Sequence, residues 1–145
     1  MTRAKRLQPV RNLVDDAQQR LARSLSACEQ RLRESESRLE ELRRYRGEYE
    51  AHFSQRAGGG MGAADLRDYQ AFLARLGQAI GQQQDLVCRA AAQQDAERSR
   101  WQEAARRAKA LGHVVERWQN EERQALDRRE QRDSDERAQR RVNHS

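Results

Sequence analysis

An all-α fold, a long two-helix antiparallel coiled-coil hairpin, is what the sequence predicts, and three observations lead to it. Charged residues make up 36% of the 145 and aromatics only 5%, with a single proline. Such a chain cannot build a dense globular core, but it suits solvated helices rich in Ala, Glu, Gln, Arg and Leu. Apolar residues also recur at coiled-coil spacing over two stretches, which separates helix from disorder. One glycine cluster divides those stretches.

The glycine cluster places the turn. Gly58, Gly59, Gly60 and Gly62 stand around Met61, and each costs a helix about 1 kcal/mol relative to alanine. A helix should stop here, with Asp65 as an N-cap candidate and Asp68 adding negative charge to the next first turn. At the other end Pro9 is compatible with helix, because a first turn tolerates proline.

The second helix carries the clearest periodicity. Steps of three and four from Leu66 reach Tyr69, Leu73, Leu76, Ile80, Gln83, Val87, Ala90, Gln94, Glu97, Trp101, Ala104, Ala108, Leu111, Val115 and Trp118. Thirteen of these sixteen positions are apolar in a chain that is 36% hydrophobic, so the seam is not an accident of composition. A spacing of 3.5 residues held this long specifies a left-handed supercoil. The three polar members, Gln83, Gln94 and Glu97, are expected to set register.

A matching seam runs through the first helix: Leu7, Val10, Val14, Ala17, Leu21, Leu25, Cys28, Leu32, Ser35, Leu39 and Leu42. It continues loosely through Tyr45, Tyr49 and Phe53. Two consecutive steps of four around Leu21 mark a stutter, where the supercoil should loosen. Folding back about residue 59 or 60 sets the chain start opposite residue 118 or so, where the second seam ends. That agreement favours an intramolecular hairpin over a parallel dimer. The expected segments are a first helix over 1–56 with a basic start, a turn over 57–64 and a second helix over 65–118. A charged overhang over 119–145, helical or frayed, completes the chain. The same reflection brings Cys28 and Cys88 within about a helical turn of each other along the axis.

Catalytic chemistry is not expected. His52, His113 and His144 stand apart, and a metal site needs converging ligands. The glycine turn has no Lys-Ser/Thr pair to make a phosphate loop. Acids sit in mixed-sign runs such as Arg33-Glu34-Ser35-Glu36, the solvated face of a helix. The reading is a non-enzyme without cofactor or metal. The longest uncharged run, Leu76 to Gln84, has nine residues against about 20 for a membrane span. Two cysteines without metal-type spacing read as reduced thiols of a cytoplasmic protein.

Two features point to binding instead. Phe72, Ala79 and Leu86 recur every seven residues beside Tyr69, Leu76 and Gln83, widening the apolar face beyond a strict seam. Either this face packs on Tyr45, Tyr49 and Phe53, or it is a patch for another protein. The net charge of +6 resides at the ends. Arg3, Lys5, Arg6 and Arg11 stand without an acid in the first eleven residues, and residues 128–145 carry an excess of two positive charges. Such ends suit an acidic protein socket or, alternatively, a basic nucleic-acid-associated coiled coil. Interleaved acids and scarce aromatics at the C-terminal end weigh against nucleic acid.

The chain resembles the FliJ family of the bacterial flagellar type III export apparatus. The residues that carry the resemblance are Leu42-x2-Tyr45-x3-Tyr49, the glycine turn, Leu66-x2-Tyr69-Gln70-x-Phe72, Leu76, Ala79-Ile80 and Gln82, and later Trp101. It extends over nearly the whole chain. The resemblance implies a hairpin similar to the central shaft subunit of rotary ATPases. It implies that the terminal end binds the hexameric export ATPase and promotes its assembly. It also implies contacts with the cytoplasmic part of the membrane export gate and with export chaperones. Carried over by motif, the gate surface corresponds to Phe72, Leu76, Ala79 and Gln83, the last standing where the family can have histidine. For the ATPase, charge and topology point to Arg3, Lys5, Arg6 and Arg11. The implied location is cytoplasmic, peripheral to the inner membrane at the flagellar base.

Overall fold

Nearly every backbone amide of this chain finds its partner four residues back. The computed structural model describes residues 2–144, which are 94% helical with no strand among them. A short α1 spans Arg3–Arg6, α2 runs Gln8–Ala57 and α3 runs Ala63–Asn143. α2 and α3 form the antiparallel helical hairpin that the seams predict. The chain divides into two compact units, one made of Ala22–Arg100, the other of residues up to Leu21 together with those from Trp101 on.

The Ala22–Arg100 unit contains the turn. Helix α2 stops after Ala57, where the amides of Gly59 and Gly60 donate to the carbonyls of Arg56 and Ala57 at 3.1 and 3.3 Å. Gly60 takes a φ of +86°, a conformation that a Cβ would strain. Helix α3 opens at Ala63, and Leu66 N–H donates to the Gly62 carbonyl at 3.2 Å. Asp65 therefore lies inside the first turn and is not the N-cap expected of it. Its charge still faces the positive end of the helix dipole.

Antiparallel pairing is visible in the partners. Tyr49 stacks on Tyr69, Ser35 accepts from Gln83 and Glu29 pairs with Arg98. As the number falls on α2 it rises on α3. The core of this unit is Leu39, Leu76 and Ile80, with Leu42, Phe72 and Val87 packed against it.

The positions facing Cys28 correct one expectation. Cys28 is buried in a groove shared with Gln93, Ala96 and Glu97 of α3, while Cys88 is exposed, and both thiols are free. Cys88 thus falls about 8–13 Å short along the helix axis at 1.5 Å per residue, too far for a disulfide. Simple reflection about the turn misses this. Seven residues back along α2 from Ser35 correspond to ten or more forward along α3 from Gln83.

In the other unit, Pro9 falls in the first turn of α2, as its missing N–H requires, and α1 stands ahead of it as a separate turn. Val115, at 1% exposure, is the most deeply buried side chain of the core. Leu7, Val14, Ala17 and Leu21 on one side are half-buried, as are Trp101, Ala104, Ala108, Leu111 and Trp118 on the other. That burial follows the predicted spacing. Val10 departs from it, being 45% exposed. From Arg123 through His144 every residue is exposed, and α3 stays helical to Asn143.

Two kinds of glycine should respond oppositely to alanine. Gly60→Ala should lower stability by about 1–2 kcal/mol because of its left-handed backbone. Gly47 and Gly77 lie inside helices, and a Cβ there would meet nothing within 4 Å. Alanine at either should add about 0.5–1 kcal/mol. Urea unfolding followed by far-UV ellipticity should show the two midpoint shifts with opposite signs.

Candidate functional site

Five rings gather where α2 approaches the turn, because Tyr45, Tyr49 and Phe53 recur at four-residue steps on α2 opposite Tyr69 and Phe72 of α3. Phe53 and Tyr69 lie parallel, with an interplanar angle of 8°, and Tyr49 flanks Tyr69 with its centroid 5.4 Å away. Phe72 meets Tyr49 at 4.3 Å and stands edge-on to Tyr45 at 6.0 Å. Geometries of this kind add about 0.5–1.5 kcal/mol per pair beyond the area buried. Burial among these rings holds the Tyr69 phenol above its usual value of 10.0, with the Glu50 carboxylate and Tyr49 adding to the effect.

The four residues singled out along α3 occupy different environments. Phe72 is half-buried against Tyr45, Tyr49 and the Leu39–Leu76–Ile80 cluster. Leu76 belongs to that cluster and is 7% exposed, so it is core. Ala79 is half-buried. Gln83 is half-buried too, and its amide donates to the Ser35 carbonyl at 3.0 Å. Of the two readings of the broad face, packing therefore accounts for Phe72 and Leu76. Leu86, 46% exposed, stays on the surface.

Tyr45 is a surface residue that periodicity conceals. Its place in the first seam argues for burial, yet it is half exposed. The signal was the loosening of that seam from Leu42 onward, where leucine gives way to rings too wide for a narrow two-helix interface.

The basic end is built on α1 and the start of α2. Thr2 caps α1, its hydroxyl oxygen accepting from Lys5 N–H at 3.3 Å. Lys5 and Arg6 are exposed, whereas Arg11 is half-buried. Arg3 is engaged on α3: its guanidinium carbon lies 4.7 Å from the Trp118 ring centroid and Nη2 bonds Glu121 Oε2 at 3.0 Å. Ala4 N–H donates to Glu122 Oε1 at 3.4 Å. An ion pair this exposed contributes about 0–1 kcal/mol, and the cation–π contact about as much. Apolar periodicity could not find Glu121 and Glu122, because the apolar seam ends at Trp118.

Among the described residues no group of three or more His, Cys, Asp or Glu could hold a metal ion. No helix among them is long and apolar enough to cross a membrane. The two stretches differ in chemistry, one being aromatic and apolar, the other cationic.

The raised Tyr69 value has a consequence in alkali. The folded chain favours the neutral phenol, so the stability it lends is fully present below about pH 10 and is lost as pH climbs through the raised value. Between about pH 8 and pH 11 the denaturation midpoint should fall less in Tyr69→Phe than in the parent. Equal falls would remove Tyr69 as the cause.

A family model described as Flagellar FliJ protein matches residues 3–145. Neither the curated proteins nor the solved structures searched contain a match to the chain.

Proposed function

From the premise that the chain belongs to the FliJ family and is a structural component of the flagellar export apparatus, we propose that it acts as a non-catalytic stalk. It binds the hexameric export ATPase at its terminal end and links that ring to the export gate. It also handles export chaperones as they are emptied. It works on the cytoplasmic side, held peripherally at the inner membrane by its contact with the gate. The observation that carries this reading is a family match that runs from residue 3 to residue 145, so both the basic end and the aromatic stretch lie inside it.

The ATPase contact rests on Arg3, Lys5, Arg6 and Arg11, four cations without an acid in the first eleven residues. A cationic end raises the encounter rate with an acidic socket and disfavours basic ones. A stalk that binds the assembled ring in preference to free subunits favours assembly by linkage. At a hundred times its dissociation constant that amounts to about 2.7 kcal/mol. For the gate, the residues with surface to offer are Phe72 and Ala79, with Leu86 and Tyr45 beside them. Leu76 supports that surface from beneath, and Gln83 supports it by tying α3 to α2.

Titration of the chain into the export ATPase, with ATP hydrolysis and ring formation followed together, tests the first half. Both should rise and saturate near one copy per hexamer. No change in either, with the chain folded, would overturn the ATPase role.

Gate binding is tested by separating surface from core. Ala79→Lys should weaken binding to the cytoplasmic part of the gate at least tenfold while shifting stability by no more than about 1 kcal/mol. Leu76→Ala should cost the isolated chain about 2–4 kcal/mol. Unchanged gate affinity in Ala79→Lys would remove this face from the contact.

A further inference from the structure

Helix α1 is four residues long, far below the length at which a helix holds by itself. Its conformation therefore depends on what it touches. Toward α2 one rung of the helical ladder is missing, because Pro9 has no N–H to return to the Lys5 carbonyl, and the chain continues through αR Leu7, whose carbonyl accepts from Arg11 N–H at 2.9 Å. Toward α3 there are three anchors. The Arg3 guanidinium lies over Trp118, Arg3 bonds Glu121, and the Ala4 amide bonds Glu122. In this position Ala4 is 6% exposed, so the turn closes onto α3 and does not project into solvent.

We propose that α1 is a hinged strap that opens about Leu7 and Gln8 without unfolding α2 or α3. Closed, it lays Arg3 over the Trp118 ring and keeps that guanidinium occupied by the chain's own carboxylate. Open, it uncovers the ring face and releases Arg3 for an outside acid. Glu121 is thus an internal competitor for any acidic group that approaches this end. The Arg3–Glu121 anchor is exposed and charged, so salt should favour the open form.

The opening is measured on the whole chain, without a partner, and so stands or falls independently of the export reading. The Arg6 and Leu7 amides donate to the Thr2 and Arg3 carbonyls at 3.1 and 3.2 Å, and their hydrogen exchange reports the opening. It should proceed by a local route insensitive to low urea. Arg3→Ala should speed it by roughly twofold to thirtyfold. Glu121→Gln combined with Glu122→Gln should act in the same direction from the other side. In a Trp101→Phe background, where Trp118 is the remaining tryptophan, acrylamide quenching should rise with Arg3→Ala at unchanged ellipticity. Exchange at Arg6 and Leu7 unaltered by these substitutions would overturn the proposal. So would quenching that increases only as helix is lost. Should Trp101→Phe itself reduce helicity, the exchange data on the Trp101 protein decide alone.

Discussion

Two helices can bury their apolar side chains only against each other, and the packing of Leu39 against Leu76 and Ile80 is where this chain meets that constraint. These three are the buried cluster of the Ala22–Arg100 unit. The ring stack toward the turn, the Gln83–Ser35 bond and the Glu29–Arg98 pair all assume the register that the cluster sets. A two-helix interface has no third element to cover a misplaced residue, so its apolar face must stay narrow. Where that face widens, at Tyr45 and Leu86, side chains reach solvent. The apolar surface left exposed is therefore a by-product of how little a two-helix interface can enclose.

The polar seam positions show how this interface tolerates polarity. Gln83 reaches the Ser35 carbonyl, and Glu97 keeps a 2.7 Å contact with Arg100. No buried side-chain nitrogen or oxygen among the described residues lacks a partner. Each such pairing is worth only about 1 kcal/mol net; the Glu97–Arg100 pair lies within α3 and survives any slip, but a one-step slip would leave the Gln83 amide without its partner on α2 and cost more. Register is thus enforced by the penalty attached to alternatives as well as by attraction.

The basic end is held differently. Its contacts with α3 are a cation over a ring, an exposed bond from Arg3 to Glu121 and a part-buried bond from the Ala4 amide to Glu122, with Ala4 and Val115 as the buried side chains of this unit. Contacts of that kind are weak, sensitive to salt and quickly exchanged. Around the turn, aromatic packing and aliphatic burial hold Phe72 and Leu76 in place. The two stretches thus differ in how readily they can rearrange.

Much of this was legible in the residues. Helical content, the turn at the glycines and the alternation of buried and exposed positions all follow from local spacing and backbone preference. They need no knowledge of what lies across the interface. The FliJ resemblance could likewise be read from Tyr69, Phe72 and their neighbours. The N-cap position falls three residues before Asp65, because Gly62 already supplies the carbonyl that opens α3. The Cys28–Cys88 proximity failed because reflection assumes equal advance along both helices, which side-chain interlocking does not respect. Which seam residue becomes core, as Leu76 does, and which stays half out, as Tyr45 does, is set by the volumes facing it from the other helix. The same holds for the engagement of Arg3 by Trp118 and Glu121. The elements and their faces can be read from the residues alone, because those depend on neighbours a few residues away. Depth of burial and choice of partner come from packing, because those depend on side chains far apart along the chain that the hairpin brings together.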